Sequence, residues 1–195
     1  MTYLQFHFVF ILPLIAVFIW LYRKNAAPAA VKPAIKWLWA IAAIALVYTT
    51  LWDNYLVYRG VWYYGPDRVI GTIGYVPIEE YLFFLFQPIL TGLFFYLLVI
   101  NRKKTASAGP SNVPRIVGAA FYLILTAVGI LLFRDDSTLY MALILAWACP
   151  VLAGQWIYAG NWIWAERRLW LWSTLIPTLY LWVADRVALA LGIWF

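Results

Sequence analysis

The sequence predicts an all-α polytopic membrane protein with about six transmembrane helices. Two observations carry this. Of its 195 residues, 66% are hydrophobic and only 11% charged, with a mean hydropathy of +0.83, whereas an ordinary globular domain is nearer a quarter charged. Apolar runs of about 20 residues also recur along the chain, each long enough to cross ~30 Å of hydrocarbon. The net charge of +6 sits in the loops, as membrane topology requires, and does not point to nucleic acid.

The first run spans Tyr3 to Tyr22 and is followed directly by Arg23 and Lys24. With no basic residue before it, it reads as a retained span and not a cleaved signal peptide. A loop with Lys32, Lys36 and two prolines leads to the second span, Trp37 to Tyr58, which holds Asp53 near its far end. A glycine-rich loop with Arg59, Asp67 and Arg68 delivers the chain to Pro77, which opens a third span running to Ile100. The stretch Thr105 to Ser111 has linker composition. The fourth span is Ile116 to Phe133, the fifth Leu139 to Tyr158 and the sixth Leu169 to Ala190, with Asp185 near its end.

Basic residues gather in alternate loops: Arg23, Lys24, Lys32 and Lys36, then Arg102, Lys103, Lys104 and Arg115, then Arg167 and Arg168. The intervening loops hold Arg59, Arg68 and Arg134. The positive-inside rule then makes the N-terminus non-cytoplasmic, in a multi-pass protein expected in the cell membrane. On that topology Asp53, the Pro77 helix start and Asp185 fall at similar depth towards the outer side, which points to a common pocket.

Pro77-Ile78-Glu79-Glu80 is the stretch that carries chemistry. Ionisable residues in membrane segments are functional-site hypotheses by default. Pro77 fits a first helical turn, and Glu79 and Glu80 then face the positive end of the helix dipole. Complementing that dipole accounts for one acid better than for two. Two neighbouring carboxyl groups in low dielectric do not readily both ionise, so the pair can present a protonated acid beside an ionised base. On a helix Glu80, Phe84 and Gln87 share one face, expected to turn towards other helices. His7 is expected to serve packing or the interface, and Tyr63 and Tyr64 to anchor the interface. Cys149 alone cannot form an intramolecular disulfide, and one His with one Cys makes a His/Cys metal site unexpected.

The second and sixth spans carry a repeat. Asp53, Gly60, Val61 and Trp62 recur in the same spacing as Asp185, Gly192, Ile193 and Trp194. Equal orientation makes the repeat parallel, an incomplete three-one-three arrangement with residues 1–100 as first unit, 101–134 as linker and connecting helix, and 135–195 as incomplete second unit. The counterpart of Glu79 and Glu80 falls beyond Phe195.

At these residues the chain resembles the small integral-membrane lycopene cyclase domain family. The resemblance rests on Pro77-Ile78-Glu79-Glu80 with Phe83-Phe84 behind it, on Asp53 with Gly60-Val61-Trp62, and on Asp185 with Gly192-Ile193-Trp194. It implies closure of the linear ψ-ends of lycopene into β-rings, through γ-carotene to β-carotene, by proton-initiated cyclisation without net redox change. Family members carry a second proline–glutamate–glutamate helix after the sixth span. A fragment, a last helix supplied by a second subunit or second copy, and sufficiency of one glutamate pair all remain open. Glu79, Glu80, Asp53 and Asp185 are the expected acid–base residues, with Trp62, Phe84 and Gln87 at the substrate. No flavin or other cofactor is expected, since Gly71-Thr72-Ile73-Gly74 follows no βαβ unit. The competing readings are a small transporter with a proton-relay carboxylate site and a non-catalytic carotenoid-binding partner subunit.

Overall fold

The computed structural model describes residues 1–100, 102, 109 and 111–195, apart from the side chains of residues 28–32 and 136. Most of the predicted linker, Thr105 to Ser111, therefore lies outside the described residues. The chain divides into two compact units, Met1–Arg102 with Leu171–Phe195, and Lys103–Trp170. This division differs from the sequence repeat, because the C-terminal segment belongs with the first hundred residues.

In the first unit, α1 (Tyr3–Phe6) runs through a π-turn (His7–Ile11) into α2 (Leu12–Asn25). Thr2 caps its start in a capping box with Gln5. Helix α3 (Pro28–Tyr58) begins well before the predicted Trp37. The reason is local: Pro28 sits at the helix start, where a missing N–H costs nothing, and Pro33 follows within the next turns. Two short strands, β1 (Thr72–Ile73) and β2 (Val76–Pro77), form an antiparallel hairpin before α4 (Ile78–Ile100). Pro77 is thus a strand residue paired with Thr72 and not part of the helix, which starts one residue later with Glu79 and Glu80 in its first turn. Its lack of an N–H suits an edge position.

Helix α5 (Val113–Leu132), a short 3-10 turn (Asp136–Thr138) and α6 (Leu139–Ala165) form the second unit. They pack through small buried residues, Gly118, Ala119 and Gly129 on α5 against Ala142, Ala153 and Gly160 on α6. Small residues let helix backbones approach closely where lipid removes the hydrophobic drive for association. Helix α7 (Arg167–Ala190) carries the chain back into the first unit.

Among the described residues five helical stretches are long and apolar enough to cross a membrane: Tyr3–Asn25, Pro33–Tyr58, Ile78–Ile100, Val113–Leu132 and Leu139–Ala165. The chain is an all-α polytopic membrane protein. Helix α7 is not among the five; Ser173, Thr174, Thr178, Asp185 and Arg186 thin its apolar run. Outward side chains such as Ile44, Val47, Phe121 and Ile124 are exposed, as lipid-facing residues would be.

The core of the first unit is one cluster. Tyr3, Phe6, Ile11 and Ile15 of the N-terminal helix meet Leu38, Leu90 and Leu93, with Ala184, Ala188 and Ile193 of the C-terminal segment. Burying a side chain such as Leu90 removes it from water for about 1.5–3 kcal/mol. The consequence for function is positional, because this cluster seats Tyr3 beneath the mouth of α4.

Candidate active site

The site is assembled by two matched helix ends. At the end of α3, Gly60 has φ +67°, its N–H bonds the Val57 carbonyl at 2.9 Å, and the Val61 N–H bonds that of Leu56 at 3.0 Å. At the end of α7, Gly192 has φ +63°, with Gly192 bonded to Leu189 at 3.1 Å and Ile193 to Ala188 at 3.1 Å. Both are left-handed glycine caps of the Schellman kind, where any side chain would be strained. The repeated glycines thus perform the same act at equivalent positions. They also send the following residues alongside each other: Tyr63 and Phe195 exchange N–H to carbonyl bonds of 3.1 and 2.9 Å, and the Gly65 N–H bonds Ile193 at 3.0 Å. A Cβ on Gly65 would collide with the Gly192 carbonyl. This pairing fixes Tyr64 and Trp194 opposite each other.

Glu80 is the meeting point. Its Oε2 accepts hydrogen bonds from the Tyr3 hydroxyl at 2.7 Å and the Tyr64 hydroxyl at 3.1 Å. The Tyr64 oxygen accepts in turn from the Trp62 indole, which can only donate. Two donors occupy both lone pairs of one carboxyl oxygen, and Oε1 is left without a hydrogen-bond partner among the described residues. Burial, then the Glu80 and Asp53 charges, push the Tyr64 phenol well above its ordinary value, so it stays a donor. Asp53 and Asp185 both lie within electrostatic reach of Glu80.

The remaining acids differ in environment. Glu79 is fully buried; its Oε1 accepts from the Ile70 N–H at 2.8 Å while Oε2 has no partner among the described residues. Asp53 is 2% exposed and its Oδ2 likewise has no partner among them. Asp185 accepts from the Trp194 indole at 3.0 Å. Asn54, next to Asp53, braces the hairpin, accepting from the Tyr75 N–H and donating to the Tyr81 hydroxyl, each at 3.0 Å.

The structure thus sets Asp53 and Asp185 within electrostatic reach of Glu80, with Glu79 turned to the loop backbone. Trp62 packs edge-on to Trp52 at 6.0 Å, and Phe84 is buried against Tyr81 at 5.9 Å. Gln87 departs from expectation: it is exposed, although Phe84, which shares its face one turn earlier, is buried along with Glu79, Leu90 and Leu93 of α4. Tyr64 is no mere interface anchor, and Tyr3 was not singled out in the sequence at all. Among 14 tyrosines, neither has a local signal of its partner.

Geometry and composition therefore define a class: a membrane-embedded, all-α protein with a carboxyl group presented at a helix mouth among aromatic walls. No family model matches the chain, and no solved structure matches it. Curated relatives do. A lycopene beta-cyclase of Halobacterium salinarum is 44% identical over 154 residues, covering 79% of this chain and 64% of the relative. The bifunctional lycopene cyclase/phytoene synthases of Blakeslea trispora and Phycomyces blakesleeanus are 34% and 32% identical, covering all of this chain and 32% and 33% of theirs. These relatives support a lycopene cyclase family for the chain. The chain spans less than two thirds of the length of the relatives it matches.

Proposed function

We propose that the chain cyclises the linear ψ-ends of lycopene to β-rings in the cell membrane, and that Glu80 is its acid. The observation that carries this is the saturation of Glu80 Oε2 by two phenols, which leaves Oε1 as the only position for a transferable proton. In the neutral carboxyl group Oε2 is the carbonyl oxygen and Oε1–H the donor. After transfer, the same two phenols stabilise the carboxylate, so the donors favour the charge that develops in the step.

The reaction then balances with one proton in and one out. Glu80 Oε1–H protonates C2 of the end group, and positive charge appears at C1. The C5=C6 double bond attacks through C6, forming the C1–C6 bond and moving the charge to C5. A base removes the C6 proton and restores the C5=C6 double bond. Asp53 is the proposed base, because its Oδ2 has no donor among the described residues and the Glu80 carboxyl lies within electrostatic reach of it. Asp185, held by Trp194, adds a second negative charge near the cation. Trp62 and Phe84 supply ring faces, which attract cations by ~0.5–2 kcal/mol each. Glu79, anchored to Ile70, keeps the turn in place.

Likeness at 44% identity to a lycopene beta-cyclase supports the substrate class. The test is pigment analysis of a lycopene-accumulating bacterial host expressing this chain beside Glu80→Gln. Cyclic carotenoid from the first and lycopene alone from the second agrees with the reading. Cyclisation that survives Glu80→Gln removes Glu80 from the acid role.

A further inference from the structure

His7 is the single histidine of the chain, and no step above uses it. Its ring is fully buried, at the head of the π-turn His7–Ile11. Such turns interrupt a helix at some cost and occur often at functional sites. Nδ1 lies 3.2 Å from the Tyr3 carbonyl oxygen, and Nε2 lies 3.0 Å from the Glu79 carbonyl oxygen. Carbonyl oxygens only accept. A neutral imidazole has one N–H, so one of these two contacts would press a ring lone pair against an oxygen lone pair. The imidazolium donates at both.

The surroundings are aromatic. Ring centroids of Tyr3, Phe86, Phe6 and Phe83 stand 4.9, 5.7, 6.1 and 6.2 Å from that of His7, each ring steeply inclined to the imidazole. Such a site disfavours a charge by desolvation, so the two carbonyl contacts must outweigh that cost. The ring meets the backbone carbonyls of Tyr3 and Glu79, and among the described residues the one titratable side chain shown against it is the Tyr3 phenol.

The geometry points to His7 as a dual-donor imidazolium that positions Glu80. The connection closes a ring of contacts. Tyr3 gives its hydroxyl to Glu80 and its carbonyl to His7, and His7 gives its other N–H to the peptide that joins Glu79 to Glu80. One buried cation thus fixes the first turn of α4 against the helix that supplies the Glu80 donor. Its catalytic consequence rests on the cyclase reading; its protonation state does not.

Because there is one histidine, labelling with 15N-histidine reports on His7 alone. The wild-type chain in lipid nanodiscs at neutral pH is predicted to show a proton on both ring nitrogens, by one-bond N–H coupling at each. One protonated and one bare nitrogen overturns the assignment, whether or not the chain cyclises lycopene. His7→Gln keeps a single donor; its kcat is predicted to fall roughly tenfold to a hundredfold with KM for lycopene unchanged, as small misplacements of a reacting group do. Wild-type kcat in that variant overturns the positioning role. Should that variant fail to insert, the labelled wild type still decides.

Discussion

The Tyr3 hydroxyl donates a 2.7 Å hydrogen bond to Glu80 Oε2, joining residues 77 apart in sequence. Tyr64 completes the pair at 3.1 Å, and its ring stacks at 6.2 Å and 20° on that of Tyr3. One carboxyl group is thereby clamped on a single oxygen by two stacked phenols from separate elements. The two donors come from separate segments, so each phenol should be felt separately.

Tyr3→Phe and Tyr64→Phe each remove one donor and keep the ring. A hydrogen bond to a charged group contributes about 1.5–3 kcal/mol, so each variant should lose roughly tenfold to a hundredfold in kcat. Steady-state product formation from lycopene in proteoliposomes measures this. Wild-type rates in both would mean that the clamp does not act in the reaction.

Asp53→Asn and Asp185→Asn should separate two roles. Asn at 185 still offers an oxygen to the Trp194 indole, so only its charge is lost and turnover should fall by less than about tenfold. Asn at 53 removes the proposed base and should lower kcat about a hundredfold or more. Equal effects would argue that both act through charge alone.

Gly65→Ala places a methyl group against the Gly192 carbonyl, across the segment that carries Tyr64 and Trp194. Overpacking of this kind costs about 1–3 kcal/mol. Thermal unfolding in detergent should show a lowered midpoint, with cyclisation reduced because Tyr64 shifts. An unchanged midpoint would mean that the two segments separate readily.

The raised Tyr64 phenol makes a pH prediction of defined sign. Below about pH 10 both folded and unfolded chains hold this proton. Above it only the unfolded chain releases it, so stability falls as pH rises. Tyr64→Phe should flatten the alkaline decline in unfolding midpoint between pH 9 and 11, about the ordinary tyrosine value. An identical decline in both proteins would assign it to other tyrosines.

The membrane class and the acids were legible in the sequence because each is a local property. Apolar runs and the few carboxylates within them need no knowledge of what lies opposite. The repeated glycines of the Asp-to-Trp motif are local in the same way, and they cap α3 and α7 alike. The start of α3 was missed because Pro28 read as a loop residue, whereas a proline at a helix start is harmless. Pro77 went to a strand because hairpin pairing with Thr72, a tertiary matter, takes precedence over its preference for a first turn. Gln87 is exposed although Phe84 on the same face is buried, and spacing does not mark how far along a helix its buried face extends. Tyr3, Tyr64 and His7 meet partners on other elements, and no spacing announces such partners.

The most direct test of the central claim is cyclisation of lycopene by membranes of this chain in D2O, read by mass spectrometry. If a carboxyl proton attacks C2 and a different proton leaves C6, each new ring gains one deuterium, placed at C2. β-Carotene should therefore be two deuteriums heavier than its precursor, and Glu80→Gln should make none. Cyclic product without deuterium would contradict protonation by an exchangeable carboxyl group. So would labelled product from Glu80→Gln, which would assign the acid elsewhere.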